Sequence, residues 1–282
     1  MTVRCHEAGS DELEYAWPEI AVRLYDMKPD GVRGAFMHWH VEPEIILETH
    51  GRLHGRVTGK EITLRENDVL FINGGRLHGC HRAEEPGSVC RILSFSPALF
   101  PANAYARKKL GRLCADHRPD AILIERESDE NRQLREELAA VSRAFRDREE
   151  EEVRAACERI LGIIASLSDM KDEHVADPEW EIMKKMIGLI QRSYMQPLSA
   201  GEIARAGDIS ETHSRSMFRK MLDTTPTQYL IGFRLEKARR LLDKGVPASE
   251  AGAAAGFHTA SYFAEMFHRR FSITPRQYRR TV

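Results

Sequence analysis

The stretch Ala204-Arg205-Ala206-Gly207-Asp208-Ile209-Ser210-Glu211-Thr212-His213-Ser214-Arg215-Ser216-Met217-Phe218, with Thr225-Pro226-Thr227-Gln228-Tyr229 after it, has a second copy. It returns 49 positions on as Ala253-Ala254-Ala255-Gly256-Phe257-His258-Thr259-Ala260-Ser261-Tyr262-Phe263-Ala264-Glu265-Met266-Phe267, with Thr274-Pro275-Arg276-Gln277-Tyr278 after it. Each copy reads as a short helix, a glycine turn, a second helix capped by Ser210 or Thr259, and a Thr-Pro start to a third. That order is the helix-turn-helix layout, in which the second helix enters the major groove of DNA. Two copies on one connecting segment predict contact with two successive major-groove segments.

The surrounding residues fill in the helices. Asp177-Pro178-Glu179 is a helix start, followed by Ile182, Met186, Ile187, Ile190 and Tyr194 at helical spacing, and Pro197 ends it. Ser199 caps a short helix, and Gly207 is read as giving the turn its backbone freedom. On the helix from about Glu211 to Met221, Met217, Phe218 and Met221 face the core. Thr212, Arg215 and Ser216 are then the base-edge candidates, with Arg219 and Lys220 nearer the phosphates. The connecting helix begins at Thr225-Pro226 and ends near Asp243, a rod of roughly 27 Å against the roughly 34 Å between successive major-groove faces. In the second copy Ala251, Ala254 and Ala255 allow close packing, and Tyr262, Phe263, Met266 and Phe267 read as core. Ala260, Ser261, Ala264 and Glu265 take the groove-facing places, while His268 and Arg269 are phosphate candidates. Glu265 repels phosphates. It either accepts from cytosine N4 or marks a head that reads little sequence. For each of these side chains taken alone, a solvated helix face is the competing reading.

Charge follows the same division. Residues 178–282 hold 17 Lys+Arg against 10 Asp+Glu, a net +7; the whole chain is −1, so residues 1–177 carry −8. A basic segment beside an acidic one is expected when one domain meets phosphates and the other does not. No apolar run approaches the roughly 20 residues of a bilayer span. Nothing at the N-terminus reads as a signal segment, so a cytoplasmic location without membrane contact is expected. Five scattered cysteines (Cys5, Cys80, Cys90, Cys114, Cys157) without C-x-x-C spacing fit reduced thiols. At 282 residues the chain has room for about two domains.

From about Arg33 to Phe95 the chain reads as short strands punctuated by glycines, with a hairpin turn at Gly59-Lys60, and so as a small barrel or double sheet. Within it lie His38, Trp39, His40, Glu44 and His78. Side chains alternate along a strand, so His38 and His40 share a face. Three imidazoles and a carboxylate inside a barrel suit a divalent metal such as Fe, Mn, Ni or Zn. Two other readings stay open: a metal-free effector pocket using these side chains, with Trp39 as a stacking wall or a core residue, and plain structural histidines. From Pro97 to Asp172 the chain reads as helical and charged. Leu134, Leu138, Val141 and Phe145, then Val153, Cys157, Ile160, Leu161, Ile164 and Leu167, mark two amphipathic helices on either side of Glu149–Glu152. They pack on the barrel or on a second subunit.

The strings Arg234–Leu242 (RLEKARRLL), Ala255–Phe267 (AGFHTASYFAEMF) and Phe271–Arg279 (FSITPRQYR) resemble the DNA-binding domain of AraC/XylS-type bacterial transcription regulators. The spacing His38-x-His40-x3-Glu44-x6-Gly51 resembles the first metal motif of cupins, and His78 the histidine of the second. That second motif departs at Asn73 and Arg82, where Pro and Asn are usual. Three places depart from the regulator pattern: Ser214 for a buried Leu, Ser216 for a base reader, and Glu265 for a groove reader. The resemblance implies an α+β chain. Residues 1–100 would be a cupin-like, double-stranded β-barrel that senses an effector, and 101–172 a covering helical segment that dimerises. Residues 173–177 would be a linker, and 178–282 an all-α domain of two helix-turn-helix subdomains on a linker helix. It further implies a ligand-controlled regulator, cast as an activator, with promoter DNA, a small-molecule effector, RNA polymerase and a second copy of the chain as partners. No enzyme constellation is read. The competing function is a metal-dependent cupin dioxygenase or isomerase carrying a DNA-binding adaptor.

Overall fold

Alternating apolar residues on short strands, then two regions of helical periodicity, give a chain that divides into two units, Met1–Ala176 and Asp177–Val282. The computed structural model describes residues 21–27, 37–83, 88–96, 99, 103–113, 119–169 and 178–280. The linker at 173–177, the helix-starting Asp177, and Cys5 and Cys114 lie outside them.

The first unit contains β1 (Val22–Met27), β2 (Glu44–His50), β3 (Arg52–Val57), β4 (Lys60–Arg65), β5 (Val69–Ile72), β6 (His78–Ala83) and β7 (Val89–Phe95). After them come α1 (Ala104–Leu113), β8 (Ala121–Ile124), α2 (Asp129–Asp147) and α3 (Glu150–Asp169). The strands form two antiparallel sheets, ordered β1-β7-β2-β5-β8 and β4-β3-β6. The β3–β4 turn is Thr58-Gly59, both at positive φ (44° and 81°), one residue before the predicted place. Positive φ at both central residues gives the twist that joins two adjacent antiparallel strands.

β2 shows how the sheet is used on both faces. Ile45 and Leu47 pack with Leu134, Leu138, Val141, Ile160 and Ile164 of α2 and α3, whereas Ile46 packs with Leu53, Leu64, Leu70 and Ile92 between the sheets. Strand alternation does this automatically. The apolar stripes of α2 and α3 are therefore used in covering the five-stranded sheet. Two differences from expectation stand out. β1 lies ahead of the predicted strand region. β8 lies inside the segment read as helical: Ala121-Ile122-Leu123-Ile124 is too short to be a helix in its own right, and the free edge of β5 offers it a full ladder.

The second unit holds α4 (Pro178–Ser193), α5 (Ala200–Ala206), α6 (Glu211–Leu222), α7 (Pro226–Asp243), α8 (Ala248–Ala254), α9 (Ala260–Phe271) and α10 (Pro275–Tyr278). The hydroxyl caps act as their sequence positions predict. Ser210 accepts from His213 N and Thr259 from Tyr262 N, while Ser199–Glu202, Thr225–Gln228 and Thr274–Gln277 close reciprocal capping boxes. Phe218 stacks edge-on against Tyr229 at 5.6 Å in the first head, and in the second Phe267 is ringed by Phe263, Phe271 and Tyr278. The departure at Ser214 is absorbed: the side chain is fully buried and its Oγ donates to Met186 Sδ at 3.3 Å.

The two turns differ although their sequences match. Gly256 has φ +84°, as a glycine turn requires, but Gly207 has φ −92° and the positive φ falls on Asp208 at 57°. At Gly207 a Cβ would instead be tight against side chains, 3.0 Å from Ile182 Cγ2 and Met186 Cγ, which would have to give by a few tenths of an ångström. In the second copy the close approach is made at Gly252, where a Cβ would meet Phe263 Cδ1 at 2.6 Å; Ala251 and Ala255 are buried, but Ala254 is exposed.

The two heads are joined by more than α7. Arg234 of α7 is buried, and its guanidinium donates to Tyr194 O (2.6 Å) and Gln196 O (2.8 Å), carbonyls just beyond the end of α4. The same Tyr194 O lies 2.6 Å from where a Gly256 Cβ would sit. One exit of α4 is thus clamped by the connecting helix and by the turn of the second head.

Candidate functional site

In the first unit, His38 pairs with His78 through two backbone hydrogen bonds, N–H to O at 2.8 Å each way, at the mouth of the inter-sheet space. His40 lies two residues on, and Glu44 opens β2. The ligand-capable atoms of His38, His40, Glu44 and His78 all lie within 4.8 Å of one another. His40, Glu44 and His78 are buried and His38 is half-buried. His78 Nε2 is 2.6 Å and His40 Nε2 3.4 Å from Glu44 Oε2.

The other ring nitrogens fix the tautomers. His40 Nδ1 lies 2.8 Å from Glu42 O, and His78 Nδ1 2.8 Å from Arg76 O. A carbonyl only accepts, so both Nδ1 atoms carry the proton and donate. Each Nε2 lone pair then points at an anionic carboxylate oxygen, a contact that holds only with a positive charge between them, a proton or a metal ion. Backbone carbonyls that orient ligating histidines through Nδ1–H are a regular feature of metal sites. Burial alone would raise the Glu44 carboxyl, but His78 and His40 outweigh it and hold it well below the usual carboxylate range. An ionised carboxylate with convergent imidazole nitrogens is a donor set for a borderline divalent ion.

Beside this cluster lies a cavity with about 450 Å³ of atom-free space including its mouth. Its wall is aliphatic, built from Ile46, Leu53, Val57, Ile62, Leu64, Leu70, Ile72 and Ile92. Polar groups sit at Tyr25, His38, Glu44, Arg56, His78 and Cys80. Tyr25 and Cys80 were not picked out by sequence, because only the packing of the two sheets brings β1 and β6 to one space. Trp39 is buried but does not line this cavity, so the stacking-wall reading gives way to the core one.

In the second unit, Thr212, Arg215, Ser216, Arg219 and Lys220 are exposed on α6, opposite buried Ser214, Met217, Phe218 and Met221. Arg215 is held by Glu211 at 2.9 Å, and Lys220 by Glu179 of α4 at 2.6 Å. On α9, Ala260, Ser261, Glu265, His268 and Arg269 are exposed and Ala264 is half-buried. Glu265 pairs with Arg269 at 2.7 Å, which cancels locally the charge that made it awkward beside phosphates. Tyr262, read as core, is 43% exposed; Phe263 and Phe267 carry the core instead, and Met266 is half-buried. The aromatic run Tyr262-Phe263 hid this: a helix turns by about 100° per residue, so Phe263 faces inward while its neighbour Tyr262 turns out to solvent.

Comparison with known proteins agrees with both halves. Residues 23–164 match the AraC-like ligand binding domain family, and residues 203–281 match a helix-turn-helix domain family. The HTH-type transcriptional regulator YdeC of Bacillus subtilis is 23% identical over 257 residues, 86% of each chain. The melibiose operon regulatory protein of Escherichia coli is 19% identical across 95% of this chain and 89% of its own. Among solved structures, fatty-acid-bound ToxT from Vibrio cholerae shares the fold with a TM-score of 0.51 at 13% identity, covering 92% of this chain and 94% of that one.

Proposed function

Because this chain belongs to the AraC family of helix-turn-helix transcription regulators, and so is a DNA-binding regulator with a small-molecule-binding domain, we propose which of its residues carry each task. The N-terminal barrel, residues 1–100 with β8 added, senses the effector. The cavity takes the effector's apolar body against its aliphatic wall, and its polar end meets His38, Glu44 and His78, which line it, with His40 completing the cluster beside them. These four would hold a divalent metal ion, which when bound would supply a Lewis-acidic contact for an oxygen-bearing head group. The observation that carries this is the pair of Nδ1–H donors fixed on backbone carbonyls, which leaves two Nε2 atoms facing one ionised carboxylate. ToxT, a neighbour in fold, was solved with an unsaturated fatty acid, and an apolar ligand body fits this wall as well.

In the DNA-binding unit, residues 178–282, Thr212, Arg215 and Ser216 read base edges and Arg219, Lys220, His268 and Arg269 contact phosphates. Arg215 is free to leave Glu211 for a bidentate contact with guanine, worth roughly 1–3 kcal/mol of discrimination. The chain acts without catalysis in the cytoplasm. It works as a homodimer through residues 101–172, joined to the DNA-binding unit by 173–177, and addresses RNA polymerase at its promoter as an activator. The support for these last steps is family membership. Effector binding redistributes the regulator between states by its differential affinity, typically about 1–3 kcal/mol.

Two measurements test the reading. Gel shifts on the DNA upstream of the gene, at several salt concentrations, should show affinity that falls with salt and with Arg215→Ala. Unchanged affinity in that variant would remove Arg215 from the interface. Metal analysis of protein purified without added metal should find about one divalent ion per chain, lost in His78→Ala. A metal-free wild type that still binds an effector would leave the four residues as a polar pocket only.

A further inference from the structure

Three places on α9 set the second head apart from the first. Ala260 is exposed, Ala264 is half-buried, and Tyr262 is 43% exposed. The Tyr262 ring is braced by buried Phe257, with centroids 6.1 Å apart, and its N–H donates to the Thr259 cap at 3.2 Å. Ala260 and Ala264, one turn apart, put two methyl groups on one side of α9, and Tyr262, two positions from each, puts a braced ring on the other, so the leading end of the helix is apolar on both flanks. The equivalent places on α6, 49 residues earlier, are Glu211, His213 and Arg215, all exposed and polar.

We propose that the two heads read DNA by different chemistries: α6 through hydrogen bonds, and α9 through apolar contact of Ala260, Tyr262 and Ala264 with thymine 5-methyl groups. The thymine methyl is the apolar group that a base edge presents in the major groove. A recognition helix whose leading turns carry a ring and two methyls finds its complement there. Glu265, paired with Arg269 at 2.7 Å, adds no net charge to this face and leaves the apolar contact unopposed. The second half-site is then thymine-rich where α9 enters it. This inference rests on the DNA-binding assignment of the C-terminal unit.

The test uses the full chain and a pool of random duplexes, from which bound sequences are selected and footprinted. The half-site whose protection fades in Arg215→Ala belongs to α6, and the other to α9. Deoxyuridine is then placed for thymidine in each half-site, which removes only the methyl. Each methyl contacted by α9 should be worth about fourfold in affinity, from roughly 0.8 kcal/mol per buried carbon group. The same replacement in the α6 half-site should change little. In Tyr262→Ala and Tyr262→Gln, both checked for an unchanged melting temperature, the sensitivity at the facing position should vanish. A second half-site without thymine enrichment, or one indifferent to deoxyuridine, overturns the proposal while DNA binding stands. A pool from which nothing is selected overturns both.

Discussion

Replacing Gly256 by Ala tests how the two heads are joined. The residue sits at φ +84°, where an L side chain costs roughly 1–2 kcal/mol. Its new Cβ would also lie 2.6 Å from Tyr194 O and 2.8 Å from Met195 Cα. Those are backbone atoms, and Tyr194 O is already fixed by Arg234 at 2.6 Å, so relief requires moving the exit of α4. Overpacking of this kind costs about 1–3 kcal/mol, and the stiffer unfolded chain returns only roughly 0.4–1. The net loss is about 1–5 kcal/mol. Gly207→Ala is the control, because it has the matching place in the repeat but φ −92°, with side-chain atoms of Ile182 and Met186, not backbone, as its nearest neighbours. Its expected cost is below about 1 kcal/mol. Urea unfolding followed by far-UV circular dichroism, with DNA affinity measured in parallel, reads both variants. Gly256→Ala should lower the midpoint of the C-terminal unit's transition and weaken binding to a two-half-site duplex. Equal effects in the two variants, or no effect at Gly256, would refute the close-approach argument.

Other outcomes follow from the same contacts. Arg234→Met should destabilise the C-terminal unit by about 2–3 kcal/mol in urea unfolding, since it removes charged hydrogen bonds to two carbonyls, and Arg234→Lys should not restore both. Glu48 is fully buried, and burial pushes its carboxyl up to about 8 against the smaller opposing pull of the Val89 and His50 backbone groups. The folded state therefore holds a proton that the unfolded state gives up near 4.5, so stability falls as pH rises from about 4.5 to 8. Glu48→Gln should flatten that slope in unfolding measurements at pH 5 and pH 8. Glu44 has the opposite sign: its folded carboxyl is held below 4.5, so its stabilisation is present above that pH and is lost as pH falls toward the folded value. His78→Ala should shrink this acid-side loss, leaving the part due to His40.

The C-terminal unit was largely legible in the sequence because its determinants are local. Caps at Ser199, Ser210, Thr225, Thr259 and Thr274 and the aromatic spacing of Phe218 and Phe267 act within a few residues. The Gly207 turn was misassigned for a matching reason. A sequence shows that a glycine is present, but not whether φ or space demands it, and here Asp208 takes the positive φ. Arg234 was hidden because its partners, Tyr194 O and Gln196 O, are backbone atoms forty residues away that carry no sequence signature. In the barrel, the spacing of His38, His40 and Glu44 placed three donors together in advance. The cavity wall depended on strand pairings between distant segments, and β8 on the availability of the β5 edge. Local pattern does not encode either.

The central claim is that the C-terminal hundred residues carry two reading helices at either end of α7. Hydroxyl-radical footprinting of the full chain on its selected duplex addresses it directly. Two protected tracts on one side of the helix, about 10 base pairs apart, are expected. Arg215→Ala should weaken one tract and Tyr262→Ala the other. A single protected tract, or two that fade together in either variant, would contradict the account.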